Sequence, residues 1–377
     1  MAGLFYAYEE RTRGDGSDVA VIGEDILTVG GAATGAGPVF GLLAQPGDTV
    51  SFDDQWETET YAVFGQTSYR FGEAWQATFG LRYTHETKDA DLNTQPFSTA
   101  LLFGSGMSFV ELAFAPVDDT FNLESEAWNG LANISYFIDE EDIMLFASVS
   151  TGSKSGGFNG SASIDTDRTY DDEDTVNYEL GLKSQLFDNK LQLNVSAFYT
   201  EFDDLQFLTA QPSGVGFIVT NAAQATSSGL DISFAARPWD FLKIDGGVQY
   251  LDAKYTEGAL KDTDREVPNA PDWTSVLSAT LLLPLGDGVT YLRGDYSYMG
   301  DHFTNPTYQP PGTEQDRTLV NLRLGWRNQH WDATLWMKNA TDEAYSSAAA
   351  APLAFSGTET QFLTAPRTYG ATLRYSF

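Results

Sequence analysis

The connections along this chain alternate strictly, a short turn and then a long loop, and few folds accommodate that parity. The sequence gives about fourteen extended segments. In order they are Ala2–Glu9, Thr60–Phe71, Ala74–Thr87, Glu126–Ile138, Ile143–Ser150, Thr175–Phe187, Lys190–Phe202, Ser227–Arg237, Phe241–Tyr255, Trp273–Leu285, Val289–Tyr298, Leu319–Arg327, His330–Lys338 and Pro366–Phe377. Sandwiches and propellers mix loop lengths without such parity. An up-and-down barrel that crosses a membrane produces it, because one rim carries tight turns and the other long loops. Both chain ends then belong to the short-turn rim.

Within the segments apolar residues recur with period two, the signature of a strand with one apolar face. Trp75, Ala77, Phe79, Leu81 and Tyr83 alternate with Gln76, Thr78, Gly80, Arg82 and Thr84. In the last segment Tyr369, Ala371, Leu373, Tyr375 and Phe377 share one face, and the alternation runs to the final residue. A soluble chain usually ends on a frayed polar terminus; an aromatic-ended strand suits one that faces lipid. Leu373, Tyr375 and Phe377 are therefore the expected lipid-facing residues of a closing strand and its assembly signal. Thr372 and Arg374 are expected in the lumen.

Turn chemistry sets a register for three hairpins. A turn at Asp188-Asn189 places Leu182 beside Val195, Leu180 beside Ala197 and Tyr178 beside Tyr199. A turn at Asn328-Gln329 places Trp326 beside Trp331 and Leu324 beside Ala333. A type I′ turn at Asp287-Gly288 places Leu283 beside Leu292 and Ala279 beside Tyr296. Each keeps the apolar residues on one face, which a one-residue slip would scramble. The opposite face carries Gln192, Asn194, Glu179, Lys183, Arg293, Asp295, Asn321, Arg323 and Lys338. Trp75, Trp273, Trp326, Trp331 and Tyr298 stand near strand ends, as interfacial girdles do.

Composition narrows the functional classes. No run of eighteen apolar residues occurs, and the longest, near Leu281–Leu285, is broken by Pro284, so helical membrane spans are excluded. The mean hydropathy of −0.26 does not count against strand spans, in which polar residues alternate with apolar ones. A balance of 21 basic and 53 acidic residues, net charge −32, excludes nucleic acid as a natural partner. Cysteine is absent, which removes disulfides and thiolate metal sites. The opening Met-Ala-Gly-Leu-Phe-Tyr has neither a basic region nor a long apolar segment, so it does not read as a secretory signal.

Gly152–Gly160 reads Gly-Ser-Lys-Ser-Gly-Gly-Phe-Asn-Gly and resembles the Gly-Phe-Lys-Ser-Gly-Gly-Phe-Asn segment of TonB-dependent outer-membrane receptors, departing at Ser153. Tyr178-Glu-Leu-Gly-Leu-Lys-Ser184, Asn269-Ala-Pro-Asp-Trp273, Lys338-Asn-Ala-Thr-Asp-Glu-Ala-Tyr345 and the ending Tyr369–Phe377 resemble further family segments in the same order. The resemblance spans nearly the whole of residues 1–377, read as one partial barrel domain. It implies a location in the Gram-negative outer membrane, contact with outer-membrane lipid and the barrel assembly machinery, and uptake of a scarce nutrient such as a ferric siderophore, haem, cobalamin or glycan. Family members also carry a signal, a TonB-contacting box, a plug and 22 strands. This chain is expected to correspond to the C-terminal part, from about strand nine. Its link to the TonB system would run only through a plug outside it. The alternative is a free-standing 14-strand passive pore, closed by pairing Ala2–Glu9 with the terminal strand.

Catalytic constellations are poor. His85, His302 and His330 are the only histidines, His330 falls on a periplasmic turn remote from the others, and no nucleophile elbow or phosphate loop appears. No enzyme, cofactor or resident metal is expected. The acidic runs Asp165–Asp174 and Asp262–Glu266 lack the glycine and terminal bidentate Glu of a calcium loop and read as solvated outer loop. The loop aromatics Phe207, Phe217, Phe303 and Tyr308, with His302 nearby, are the candidates for a bulky organic or metal-chelate ligand; packing of the loops against one another is the other reading. Outward acidity disfavours an anionic ligand unless cations compensate.

Overall fold

In the computed structural model, which describes residues 1–13, 19–21, 49–97, 115–138, 142–160, 168–210, 217–258, 261, 267–304, 313–314, 316–350 and 360–377, the dominant element is a single antiparallel meander. We number its strands β1 (Ala2–Arg13), β2 (Asp54–Phe71), β3 (Trp75–Phe97), β4 (Val117–Ile138), β5 (Ile143–Lys154), β6 (Glu173–Leu186) and β7 (Leu191–Ala210). The second half comprises β8 (Phe217–Trp239), β9 (Leu242–Tyr255), β10 (Trp273–Leu285), β11 (Gly288–Met299), β12 (Arg317–Arg327), β13 (Trp331–Lys338) and β14 (Thr368–Tyr375). Each strand pairs with its sequence neighbours, with no crossover. The all-β, up-and-down reading and its fourteen strands therefore stand. Among the described residues β1 pairs only with β2, and β14 only with β13, so the pairing that a closed 14-strand pore requires is not formed.

One face of the sheet is apolar and exposed, the reverse of a soluble protein. Leu4, Val63, Leu81, Leu180, Leu292, Leu335 and Leu373 all stand outward, and lipid is the solvent that makes such a face favourable. Two aromatic rows bound it. On the loop side Tyr83 packs on Trp128 with ring centroids 4.8 Å apart, and Tyr250 on Trp273 at 4.9 Å. On the turn side Trp75 meets Tyr136 at 4.7 Å, Trp239 meets Phe241 at 5.7 Å, and Trp331 meets Tyr375 at 4.7 Å. From Trp75 to Tyr83, at about 3.3 Å per residue, β3 runs roughly 26 Å, close to the length that a tilted strand needs to cross a bilayer. The inner face is polar. Asp295 accepts from Arg293 at 2.7 Å, from Ser278 at 2.8 Å and from Arg323 at 3.2 Å.

The hairpin β6–β7 keeps the expected register, including Tyr178 opposite Tyr199; Asp188 and Asn189 both adopt positive φ, 55° and 62°, as a type I′ turn needs. The other two hairpins differ by two residues, which preserves the faces. Leu281, not Leu283, lies opposite Leu292. The turn is Gly286-Asp287, with Gly286 at φ 63°; Gly288 is instead a strand residue, where a Cβ would lie 2.5 Å from the Arg327 carbonyl oxygen and 2.7 Å from the Trp326 ring. Trp326 lies opposite Ala333, not Trp331. Asn328 makes the longer turn, its side-chain oxygen accepting from the backbone N–H groups of His330 at 3.0 Å and Trp331 at 2.8 Å.

Several strands run far past their expected ends on the loop side. β3 continues to Phe97 and β4 begins at Val117. β7 and β8 extend toward each other, leaving 211–216 between them, so Phe207 and Phe217 are strand residues rather than loop residues.

Candidate functional site

Above the loop-side aromatic row, the end of β5 and the Gly152–Gly160 segment fold over the inner face of β1–β4 and build a polar shelf. Lys88, on β3, donates to Ser155 Oγ at 2.6 Å and to the Gly156 carbonyl at 2.7 Å, and its Nζ lies 3.1 Å from Glu86. Glu86 also accepts from Ser155 and, at 2.8 Å, from Thr60. Burial alone would raise the Glu86 carboxyl, but the hydrogen bonds from Ser155, Thr60 and Lys88 outweigh it and hold the group below its ordinary range. Asp172 ties the shelf to β4, accepting from Ser125 at 2.6 Å and from the Gly156 N–H at 2.7 Å.

β8 supplies the second support. Its partner β9 stops at Tyr255, opposite Ala225, and the Thr256 N–H still donates to the Gln224 carbonyl at 2.8 Å, which leaves the 217–223 extension without a strand partner on that edge. Asn159 fills that edge. Its side-chain nitrogen donates to the Val219 carbonyl and its oxygen accepts from the Val219 N–H, both at 2.9 Å, while its own N–H donates to the Arg168 carbonyl at 2.7 Å. Asn221 does the same for Asp171, accepting from its N–H at 2.7 Å and donating to its carbonyl at 2.9 Å. Gln206 donates to the carbonyls of Ser155 at 3.0 Å and Asp171 at 2.9 Å. The amide side chains stand in for a missing strand. Arg13 pairs with the buried carboxylate of Asp54 and reaches the Gly160 carbonyl at 3.3 Å.

Between shelf and wall lies a recess of about 550 Å³, lined by Glu9, Arg11, Trp56, Lys88, Phe158 and Tyr170 among others. That volume suits a small-molecule ligand. Burial raises the Tyr170 hydroxyl above its ordinary pKa, so it stays a neutral donor. Arg11 pairs with Glu9 and Lys88 with Glu86, while Glu57 and Asp89 also line the recess, so the residues lining it set two cations against four carboxylates.

The expected ligand residues do not converge there. Phe207 packs with Val267 against Ala225 and Tyr255, its ring 6.2 Å from that of Tyr255. His302 is buried, its Nδ1 2.9 Å from the Gly300 carbonyl oxygen. Phe303 pairs with Thr313 in a short ribbon, and its carbonyl accepts from Asn269 N–H at 2.7 Å. Segment 267–269 thus links the two groups. Phe217 opens β8, and Tyr308 lies outside the described residues, as do Asp262–Glu266 and most of the loops. The signal for the recess was the Gly152–Gly160 segment itself; its wall residues, Glu9, Arg11, Trp56, Glu86 and Lys88, lie on three separate strands with no common motif.

The meander and the girdles are those of a membrane barrel, and sequence comparison supplies the family. Residues 8–340 match the family described as TonB dependent receptor-like, beta-barrel. The chain belongs to that family. TonB-dependent receptors are outer-membrane proteins and not enzymes. The metal-pseudopaline receptor CntO of Pseudomonas aeruginosa (strain UCBPP-PA14) is 27% identical over 223 residues, 58% of this chain and 28% of that protein. The ferric-pyoverdine 358 receptor of Pseudomonas putida is 26% identical over 217 residues, 56% and 25% of the two chains. The ferric yersiniabactin uptake receptor FyuA from Yersinia pestis shares the fold, with TM-score 0.74 and 17% identity over 88% of this chain and 49% of that one. The chain thus spans only part of the length of these relatives.

Proposed function

We propose that residues 1–377 are barrel from a receptor that captures a metal chelate, a ferric siderophore or a similar complex, outside the cell for TonB-energised uptake. A plug within the complete receptor would make the TonB contact. The observation that carries this reading is the recess of about 550 Å³ beneath the shelf. It faces the lumen on the loop side and combines aromatic surface (Trp56, Phe158, Tyr170) with the cations Arg11 and Lys88. Aromatic faces suit the organic shell of a chelate, and the two cations offset part of the acidity of the lining, whose carboxylates favour a complex that carries little negative charge. The relatives, named as receptors for metal-pseudopaline, ferric pyoverdine and ferric yersiniabactin, support the same class.

The test is equilibrium binding by the chain, folded in detergent, against ferric catecholate, hydroxamate and amino-carboxylate complexes and their metal-free forms. A loaded complex should bind at least about tenfold more tightly than its metal-free form, equivalent to about 1.4 kcal/mol. W56A and K88A should each weaken it by a similar factor. Absence of binding by every complex, with unselective passage of small solutes through liposomes holding the chain, would refute it.

A further inference from the structure

The outer face of β3 and β4, just beyond the loop-side aromatic row, gathers three metal-ligating side chains that the shelf and recess do not use. His85 lies opposite Glu126 across the strand pair, and Glu124 follows one pleat further, opposite Thr87. Period two puts all three on the outward face, and the short Thr87 leaves room for both carboxylates to lean over the imidazole. His85 Nδ1 is 3.6 Å from Glu124 Oε1 and 3.7 Å from Glu126 Oε1. One donor atom from each residue lies within 4.8 Å of the others.

The two His–Glu separations fit a metal, and the two carboxylate oxygens have to close from no more than 4.8 Å. With bonds of about 2.0–2.2 Å in a tetrahedral site, neighbouring donors stand roughly 3.3–3.6 Å apart, so the two His–Glu distances need to close by at most a few tenths of an ångström. Tyr83 donates to Glu126 Oε1 at 2.9 Å, holding one carboxylate in place as an outer-shell hydrogen bond holds a ligand. Its ring is packed on Trp128. Among the described residues no Lys or Arg forms an ion pair with Glu124 or Glu126, so the two carboxylates converge with only the imidazole between them. Both carboxylates are more than half exposed while the imidazole is less so, which leaves the outward side open to water as further ligands.

We propose that His85, Glu124 and Glu126 form a divalent transition-metal site on the outer rim of the barrel. One imidazole nitrogen with two carboxylate oxygens suits Zn²⁺ or Ni²⁺ better than Ca²⁺ or Mg²⁺, which take oxygen sets. The site is distinct from the recess, because the neighbouring Glu86 points to the opposite face. It therefore binds the bare ion at the membrane boundary rather than cargo in the lumen.

The experiment is Zn²⁺ titration of the full chain folded in detergent, with a hundredfold excess of Ca²⁺ to cover the remaining acidic surface. One Zn²⁺ per chain is expected. H85Q and the double variant E124Q/E126Q should each weaken it at least tenfold, Y83F should weaken it less, and H330Q, at the exposed histidine of the turn rim, should leave it unchanged. Folding of every variant is checked by heat-modifiable migration. Cu²⁺ electron paramagnetic resonance of the H330Q chain supplies a readout independent of the ligand variants, with coupling expected from one imidazole nitrogen. Zinc binding that survives H85Q in folded protein, or an oxygen-only Cu²⁺ spectrum, would overturn the assignment.

Discussion

Asn159 offers the sharpest test of how the shelf is held. It is buried, and its carboxamide satisfies both backbone groups of Val219 at 2.9 Å on an edge that β9 does not reach. Replacing it with Ala leaves one N–H and one C=O of Val219 without partners. Orphaning a partly buried polar group costs about 1–3 kcal/mol. Some relaxation toward water reduces the sum, so about 2–4 kcal/mol of local docking energy should be lost. At about 1.4 kcal/mol per factor of ten, that is a roughly 30- to 700-fold rise in opening. N159D should be at least as damaging, because the Val219 carbonyl would then face a carboxylate oxygen instead of a donor. The assay is amide hydrogen exchange of the folded chain in micelles, followed at Val219 and its neighbours, with β10–β11 as the internal reference. Exchange should accelerate around residues 217–221 and 168–172 and stay unchanged across the membrane band. Val219 protection unaltered in N159A would show that the shelf does not depend on this contact.

Three further outcomes follow from other parts of the molecule. Glu86 has a folded pKa held below its ordinary value, so its contribution is present above the unfolded carboxylate pKa and lost as pH falls through the folded one. Exchange protection of Ser155–Gly157 should therefore persist at neutral pH and collapse only below the usual carboxylate range, and E86Q should abolish that acid transition; an unchanged transition in E86Q would exclude Glu86 as its source. G288A drives a Cβ against the Arg327 carbonyl and the Trp326 ring and should destabilise by about 1–3 kcal/mol, read as a lower urea midpoint in refolding, whereas G286A should act through its positive φ alone; a wild-type midpoint for G288A would contradict the close approach. Deleting Phe377, whose ring packs on Tyr375 at 5.2 Å, should impair outer-membrane assembly as judged by the fraction of heat-modifiable protein, and unchanged insertion would refute an assembly role for the terminal residue.

Where lipid lies on one side and water on the other, the sequence was close to sufficient. Alternation and turn parity dictated the meander, the faces and the girdles, because a strand in a bilayer has no other way to place Leu180 and Lys183. The β6–β7 register was legible for the same reason, with Asp188-Asn189 supplying the turn. Tertiary packing decided what lies beyond the membrane. Past Tyr83 the pattern inverts: Ala90 and Leu92 are buried on the inner face while Asp89 and Asp91 stand exposed on the outer one, so the outward apolar stripe that marks the membrane band ends although the strand runs on to Phe97. Two turns were misplaced: at Asn328 a side-chain oxygen holds a longer turn than two residues, and at the β10–β11 hairpin a glycine can serve either a turn or a close approach. Gly288 was needed beside Trp326, which left Gly286 to make the bend. The shelf was legible as a motif but not as a structure. Nothing local couples Asn159 to Val219, or Lys88 to Ser155, since those contacts join distant parts of the chain and exist only once the sheet has brought its strands side by side.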